Sequence, residues 1–540
     1  MRTRAPHGPP AARHDRGVTS NRALARAGLV VSGAFLISRV LGWVRVVVIV
    51  NTFAPGRELD AFFAAFRLPD LIYQLVAAGA LSSALIPIVA GLLASEEHRR
   101  AWRVVSTVTN LMLGALAVLA IGIGLAAPLI VPTFTGGFTP EQTALTVDLT
   151  RIMLLSPVFL ALGSVATSVL NAQGRFAASA VAPIVYNLLI IGATVILAPS
   201  MGVAGVALGV VAGSLGHLLV QLPAVLGLGF RYERRVEVDD PQARKALALM
   251  APRAIGLGAT QITFVVVTAV ASTLGAGAIT IFNTAFTLLQ IPVGIIGVPL
   301  GVVVFPALSR EAAVGRTEEF VGLLSRGLRL LLFVMLPIAG IGMVLRREVV
   351  DLLFGYGGFD AAAIDLTAAT LLAFLLGLTA HALIAVLARA FYARQDTITP
   401  VVAGLVSVAA NTTLAVVLAA PLGLPGIGLA IALGAWLEFA ILLVVLKRRV
   451  PQLAIRPVAL VGIRALLATA AATGVAFALH GGLALVGPDD PGKLAVVVRM
   501  VVVGAVGLGT YALLAAALRI PELPSIVGVM ADLLRRPRRA

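Results

Sequence analysis

Apolar runs of about twenty residues or more recur along almost the whole chain, and no other feature restricts its fold so strongly. A helical run of that length crosses the roughly 30 Å hydrocarbon core of a bilayer. Inside that core backbone polar groups must be satisfied within the segment, which leaves helices as the economical solution. The runs lie near 28–53, 66–93, 104–130, 147–170, 178–198 and 203–229, and resume near 246–274, 279–308, 328–345, 363–390, 400–420 and 425–446. Two more follow near 457–479 and 495–518. The expected fold is therefore an all-α integral membrane protein of fourteen transmembrane helices. Only 12% of residues are charged and the mean hydropathy is +1.02, whereas soluble domains carry about 25% charge. Cysteine is absent, which removes disulfides and thiolate metal sites.

The net charge of +16 comes from arginine, with lysine only at Lys245, Lys447 and Lys493. Alternate connections hold most of it: Arg99, Arg100 and Arg103, then Arg175, then Arg231, Arg234, Arg235 and Arg244. The same alternation continues through Arg310, Arg316 and Arg326, Arg394, Arg448 and Arg449, and Arg535 to Arg539. The intervening connections hold little beyond Arg57, Arg346, Arg347 and Lys493. That asymmetry satisfies the positive-inside rule with both termini cytoplasmic. Dispersal among short loops argues against nucleic-acid binding. Residues 1–26 read as a basic cytoplasmic arm, because no cleavage site follows a short apolar core.

An internal repeat is visible at an offset near 220 residues. Leu85-Ile86-Pro87 closes the second run and Val304-Phe305-Pro306 the eighth. Gly205 and Gly426 open the sixth and twelfth, with Gly213 and Gly434 following at the same offset. An arginine elbow leads into a proline-started helix twice, as Arg175 to Pro183 and Arg394 to Pro400. The expected organisation is a first lobe over 27–230, a linker over 231–245 and a second lobe over 246–450, the two six-helix lobes in parallel repeat. Helices thirteen and fourteen, within 451–520, stand outside the repeat, and 521–540 is a basic cytoplasmic tail. Transporters built this way hold substrate between the lobes near mid-membrane.

Charges inside the runs mark candidate sites, since an arginine at mid-membrane costs about 2.5–3.5 kcal/mol on insertion scales. Arg39 and Arg45 lie six residues apart, about 9 Å along a helix, with Gly42 between them to leave room for a ligand or a neighbouring backbone. Asp60 and Arg67 share one helix face two turns apart. Asp60 is open to three roles: a partner of Arg45, a gate on the outer side, or a helix N-terminal charge. Pro69 suggests a backbone break just beyond Arg67. Arg253 either faces the cavity or snorkels to the inner surface. His217, Gln221 and His381 read as helix-interface polar residues, and Glu438 is the candidate for ion coupling. No metalloprotease, phosphate-loop or metal-spaced acid motif occurs, so neither a catalytic site nor a cofactor is expected.

Several motifs together resemble the MurJ (MviN) lipid II flippases of the multidrug/oligosaccharidyl-lipid/polysaccharide exporter superfamily. They are Ser38-Arg39-Val40-Leu41-Gly42 with Arg45, Asp60-Ala61-Phe62-Phe63 with Phe66-Arg67-Leu68-Pro69, and Leu170-Asn171 with Arg175-Phe176. Gln290-Ile291-Pro292 and Phe391-Tyr392-Ala393-Arg394-Gln395-Asp396 with Thr399-Pro400 complete the set. The resemblance implies a two-lobe alternating-access carrier in the bacterial cytoplasmic membrane. It would move undecaprenyl-pyrophosphate-linked peptidoglycan precursor from the inner to the outer leaflet. Its partners would be lipid II, membrane lipids, and a coupling cation or the membrane potential. Arg39, Arg45, Asp60 and Arg67 take the positions of family functional residues.

The chain departs from the family pattern in three places. An arginine often found in span eight is missing from Ala285-Phe286-Thr287, an acid after the second arginine is Val46, and a basic pair after Leu-Pro is Tyr73-Gln74. Arg253 is the candidate replacement for the missing charge. A pyrophosphate wants arginine's paired donors. Another polyprenyl-pyrophosphate glycan would satisfy the same chemistry, and an integral-membrane glycosyltransferase is the alternative of another class. The small residues of span thirteen, including Ala468, Ala470, Ala471, Ala472 and Gly474, suggest a groove for the lipid tail.

Overall fold

The computed structural model describes residues 16–76, 80–486, 492–526 and 528, with side chains from 33 onward except at 76, 80–84, 249–260 and 486. The first twelve spans follow the sequence in order. They begin with α1 (Arg16–Phe53), then α2 (Arg57–Val76) with α3 (Ala80–Ala94), and α4 (His98–Ile130). Next come α5 (Pro140–Met153) with α6 (Ser156–Ala172), α7 (Phe176–Ile196), the short α8 (Ala198–Met201), and α9 (Val203–Leu219) with α10 (Leu222–Leu226). The second lobe opens with α11 (Pro241–Ser272). In its next span α12 (Ala278–Pro292) passes through a π-turn, Val293–Gly297, into α13 (Val298–Ala313). Then come α14 (Thr317–Val344), the short α15 (Arg346–Phe354), and α16 (Ala361–Leu375) with α17 (Leu378–Ala393). The lobe ends with α18 (Ile398–Leu422) and α19 (Leu424–Arg449), and α20 (Ile455–Val486) and α21 (Lys493–Ala517) close the bundle. There is no strand among the described residues.

Eleven of these stretches are long and apolar enough to cross a membrane, and the pair α16–α17, bent by 43°, makes a twelfth. Shorter apolar stretches at Leu85–Ala94 and Gln261–Ser272 fall in spans two and seven, so the fourteen-span reading is consistent with the fold.

The repeat is carried by glycines. Gly202 and Gly423 take nearly the same left-handed backbone, φ +58° and +62°, at the tight connection into α9 and into α19. A Cβ at Gly205 would lie 2.9 Å from the Leu197 carbonyl carbon, and one at Gly426 would lie 2.7 Å from that of Leu418. Likewise, a Cβ at Gly213 would come within 2.8 Å of the Tyr186 carbonyl, and one at Gly434 within 3.3 Å of the Ser407 carbonyl. Glycine at these points lets α9 rest on α7, and α19 on α18, backbone against backbone, as small residues do between membrane helices.

Some sequence expectations need correction. Pro87 and Pro306 do not close their helices: α3 runs on to Ala94 and α13 to Ala313, seven residues further in both. Pro183 does not start a helix but lies inside α7, whereas Pro400 does sit in the first turn of α18. Pro69 likewise lies within α2, which stays helical to Val76. In apolar packing, neighbouring helices keep such segments helical despite the lost amide. The small residues of α20 do not leave an open groove along their whole length. Ala465, Ala468, Ala472 and Ala476 are buried, with Phe333 of α14 and Tyr511 of α21 completing the seam. Ala470, Ala471 and Gly474 lie on the exposed side.

Two connections are tied down. The inter-lobe linker lies along α4, where Asn110 donates to the Glu233 carbonyl at 3.0 Å and the Glu237 amide donates to Thr107 at 3.1 Å. Asp240 caps α11 and pairs with Arg100 at 2.9 Å. At the other face α15 is held on two sides. Its Glu348 meets His480 of α20, and its Asp351 meets Lys493 of α21 at 2.8 Å. Asn51 of α1 donates to the Leu353 carbonyl at 3.1 Å.

Valine at Gly213 or Gly434 should overpack these helix pairs at a cost of about 1–3 kcal/mol each. Thermal unfolding of the detergent-solubilised protein should show a lowered midpoint for both. Gly474→Val, at a position where a Cβ meets nothing within 4 Å, should leave it unchanged.

Candidate functional site

Span two supplies the charges that join the lobes. Asp60, in the first turn of α2, is 1% exposed, yet its carboxylate is fully engaged. It accepts from the Gly277 amide at 2.7 Å, the Thr280 amide at 2.8 Å and the Thr280 hydroxyl at 2.7 Å. These groups form the N-terminus of α12, whose unpaired amides and dipole favour an anion. Gly277 adopts φ +85°, and a Cβ there would lie 2.9 Å from that of Pro55, so glycine is required twice over. Of the three roles open to Asp60, the structure does not give it Arg45; it keeps its place in the first turn of α2, and its hydrogen bonds go to the terminus of a helix in the opposite lobe.

Two turns further along α2, Arg67 repeats the crossing. Its Nε donates to Thr268 of α11 at 3.1 Å and its Nη2 to the Asn283 side chain of α12 at 2.7 Å. The guanidinium also lies 5.1 Å from the centre of the Phe264 ring. Asp70, three residues on, is held by Gln74 and by Gln261 of α11. Asp60, Arg67 and Asp70 thus form one inter-lobe seam. It is extended where a Cβ at Gly358 would meet Ala54 Cβ at 2.9 Å and where the Gly137 amide donates to Ser272 at 3.3 Å.

The arginines of α1 are arranged differently. Arg45 lies 5.6 Å from the Tyr186 ring centre on α7 and is also hydrogen-bonded to Tyr186. Gly42 faces open space, with nothing within 4 Å of a Cβ. Arg39 crosses to the second lobe. Its guanidinium occupies the place that a side chain at Gly294 would fill, in the π-turn of span eight, and Phe35 lies 5.3 Å from it. Arg39 and Arg45 are both half-buried, and among the described residues neither meets a carboxylate in an ion pair. Half-buried guanidinium groups beside open space offer paired donors to an anion.

The remaining candidates lie elsewhere. Arg253 is on α11, but its side chain lies outside the described residues. Glu438 on α19 is inside the second lobe, hydrogen-bonded to Ser407 of α18, away from the arginines. His217 and Gln221 belong to a closed network with Thr167 and the Gly163 carbonyl. Where family members often carry an arginine in span eight, Phe286 stacks among Phe264, Phe282 and Phe374, and the Thr287 hydroxyl donates to the Asn283 carbonyl at 2.7 Å. Sequence reasoning missed Asp70 and Asn283 as seam residues, and Tyr186 as the neighbour of Arg45. Asp70 alone carried a signal, as an acid three residues after Arg67. Among the described residues no cluster of three or more acids, histidines or cysteines could hold a metal.

Removing the cap should loosen the seam. Since the chain lacks cysteine, Ala54→Cys with Gly358→Cys gives a background-free cross-linking pair across the lobes, once the exposed Gly358 loop shifts by about 1 Å to reach disulfide distance. The pair should oxidise readily, and adding Asp60→Ala should cut the cross-linked fraction by about half or more. An unchanged fraction would mean that the carboxylate does not hold the lobes together.

Comparison with known proteins gives a consistent pattern. Residues 49–486 match the family described as lipid II flippase MurJ, a stretch that begins just after Arg45. A lipid II flippase MurJ of Burkholderia cenocepacia is 34% identical over 438 residues, covering 79% of this chain and 84% of that protein. A probable lipid II flippase MurJ of Vibrio cholerae is 31% identical over 438 residues, covering 79% and 83%. Among solved structures, a lipid II flippase MurJ in an inward closed conformation superposes with a TM-score of 0.77 at 23% identity, over 91% of this chain and 99% of that one. An inward-facing multidrug resistance MATE family transporter of the MOP superfamily gives 0.63 at 14% identity, over 77% and 95%.

Proposed function

From the premise that the chain belongs to the lipid II flippase MurJ family, we propose that it carries undecaprenyl-pyrophosphate-linked peptidoglycan precursor across the bacterial cytoplasmic membrane by alternating access. It is a transporter and not an enzyme. The observation that carries the reading is the contrast between its two sets of intramembrane charge. Asp60 and Arg67 hydrogen-bond across the lobes, while Arg39 and Arg45 meet no carboxylate among the described residues and stand beside the open space at Gly42.

The division of labour follows from this contrast. Arg39 and Arg45 hold the pyrophosphate, whose oxygens match the planar guanidinium fork and compensate charges that would otherwise face apolar surroundings. Both termini face the cytoplasm, as the arginine-rich connections require. The seam of Asp60, Arg67 and Asp70 then lies toward the external face, and in this conformation it seals that side. Release of the cargo outward requires the α12 terminus to part from Asp60 and Asn283 to part from Arg67. A coupling cation or the membrane potential biases that exchange, with Glu438 as the acid of the second lobe available to a cation. Helices α20 and α21 accommodate the lipid tail through the exposed side of α20, where Ala471 and Gly474 lie.

Replacing both Arg39 and Arg45 by alanine should abolish rescue of a strain depleted of its lipid II flippase, with protein levels in the membrane near those of the unmodified chain. Lysine at either position should rescue in part, since it keeps the charge without the fork. Full growth of the double alanine variant would overturn the pyrophosphate assignment.

A further inference from the structure

Span eight carries a second arginine contact that resembles the one at Gly294. At Gly301, seven residues beyond it, a Cβ would lie 3.0 Å from Arg389 Cζ and 3.1 Å from the Ala385 carbonyl. Arg389 belongs to α17, and its guanidinium fills the notch that the missing side chain leaves. Its Nη1 donates within its own helix, to the Ala385 carbonyl at 2.6 Å. No carboxylate pairs with it among the described residues.

The face on which Arg389 stands is the open one. His381, Ala385 and Arg389, spaced four apart, are half-buried, while Ala382, Leu383, Val386, Leu387 and Ala390 between them are buried. At the other end of that stripe His381 presents a buried Nε2 with no hydrogen-bond partner. Burying a polar nitrogen without a partner costs about 1–3 kcal/mol, so the stripe is built for something polar that comes and goes. By the helix rise, Gly294 and Gly301 are about 10 Å apart along span eight, and Arg39 and Arg45 about 9 Å apart along α1. Measured as helix rise, the three arginines therefore follow one another along the bundle at steps of about 10 Å: Arg389 at Gly301, Arg39 at Gly294, then Arg45 on α1.

We propose that Arg389 is the first rung of this series, a binding residue that receives the lipid-linked pyrophosphate at the cytoplasmic side and passes it to Arg39. The inference rests on the transport reading above, because the direction of the series depends on the cytoplasmic placement of the end of α17. Arg389 lies five residues before Arg394, about 8 Å from the helix end, within reach of a headgroup at the inner leaflet. The same chemistry is offered by the phosphodiester of an ordinary anionic phospholipid, and the two sources separate experimentally.

The probe is undecaprenyl pyrophosphate, titrated onto the full-length purified protein in neutral detergent, with and without phosphatidylglycerol. Arg389→Gln should weaken binding at least tenfold, the loss of one charge-assisted hydrogen bond. Arg389→Lys should fall between the two, and phosphatidylglycerol should not restore the difference. Wild-type affinity for the pyrophosphate in Arg389→Gln, with loss confined to phosphatidylglycerol binding, would overturn the proposal and make Arg389 a surface-lipid anchor. Failure of the unmodified chain to bind the pyrophosphate would instead sink the transport reading. If Arg389→Gln does not accumulate, Arg389→Lys carries the test, and unaltered affinity there would overturn the proposal.

Discussion

A carboxylate buried between two helical lobes must be answered, and in this protein the answer is a helix terminus. Asp60 accepts two backbone amides and one hydroxyl from the start of α12, which leaves neither carboxylate oxygen without a donor. The arrangement is selective because the amides at a helix start have no partners of their own. It is also reversible, since water at an open external face would solvate both sides. Arg67 and Asp70 extend the same logic deeper along α2, each meeting α11 or α12. The relative position of the lobes depends on this seam.

The two lobes share a backbone plan but not a chemistry. Gly205 and Gly213 in one lobe are matched by Gly426 and Gly434 in the other at the same close approaches, and Gly202 and Gly423 share the same positive-φ turn. Polar and charged groups, by contrast, gather on α1 and α2, while the facing part of the second lobe is an aromatic cluster around Phe286. We place its contribution to anion binding lower, at Arg389 on α17, against backbone that glycine leaves bare. Arginine pressed against glycine recurs at Gly294 and Gly301, and in each case the absent side chain makes the space.

Much of this was legible in the sequence, because membrane helices obey simple rules of length, charge asymmetry and period. Arg39, Arg45, Asp60 and Arg67 stood out because charge in an apolar run needs a reason. What those charges meet was hidden. The partner of Asp60 is backbone 217 residues away, and amides at a helix start leave no mark of their own in a sequence. The π-turn that brings Gly294 to Arg39 has no compositional signature. Prolines misled in the opposite direction. Pro69 reads as a break, Pro87 and Pro306 as run ends and Pro183 as a helix start, yet packing holds each within a helix. Arg389 lies in an unremarked alanine-rich stretch, and only the notch at Gly301 reveals what it does.

The short helix α15 is grasped by His480 and Lys493 on one side, and on the other its Leu353 carbonyl holds Asn51. It therefore acts as a strut between the last two helices and the end of α1. When α1 swings away from the second lobe, either that one hydrogen bond breaks or α15 drags α20 and α21 along with it. The helices outside the repeat are thus mechanical neighbours of the helix that bears Arg39 and Arg45. Whatever leans on them from the surrounding bilayer is felt at the far end of the arginine-bearing helix.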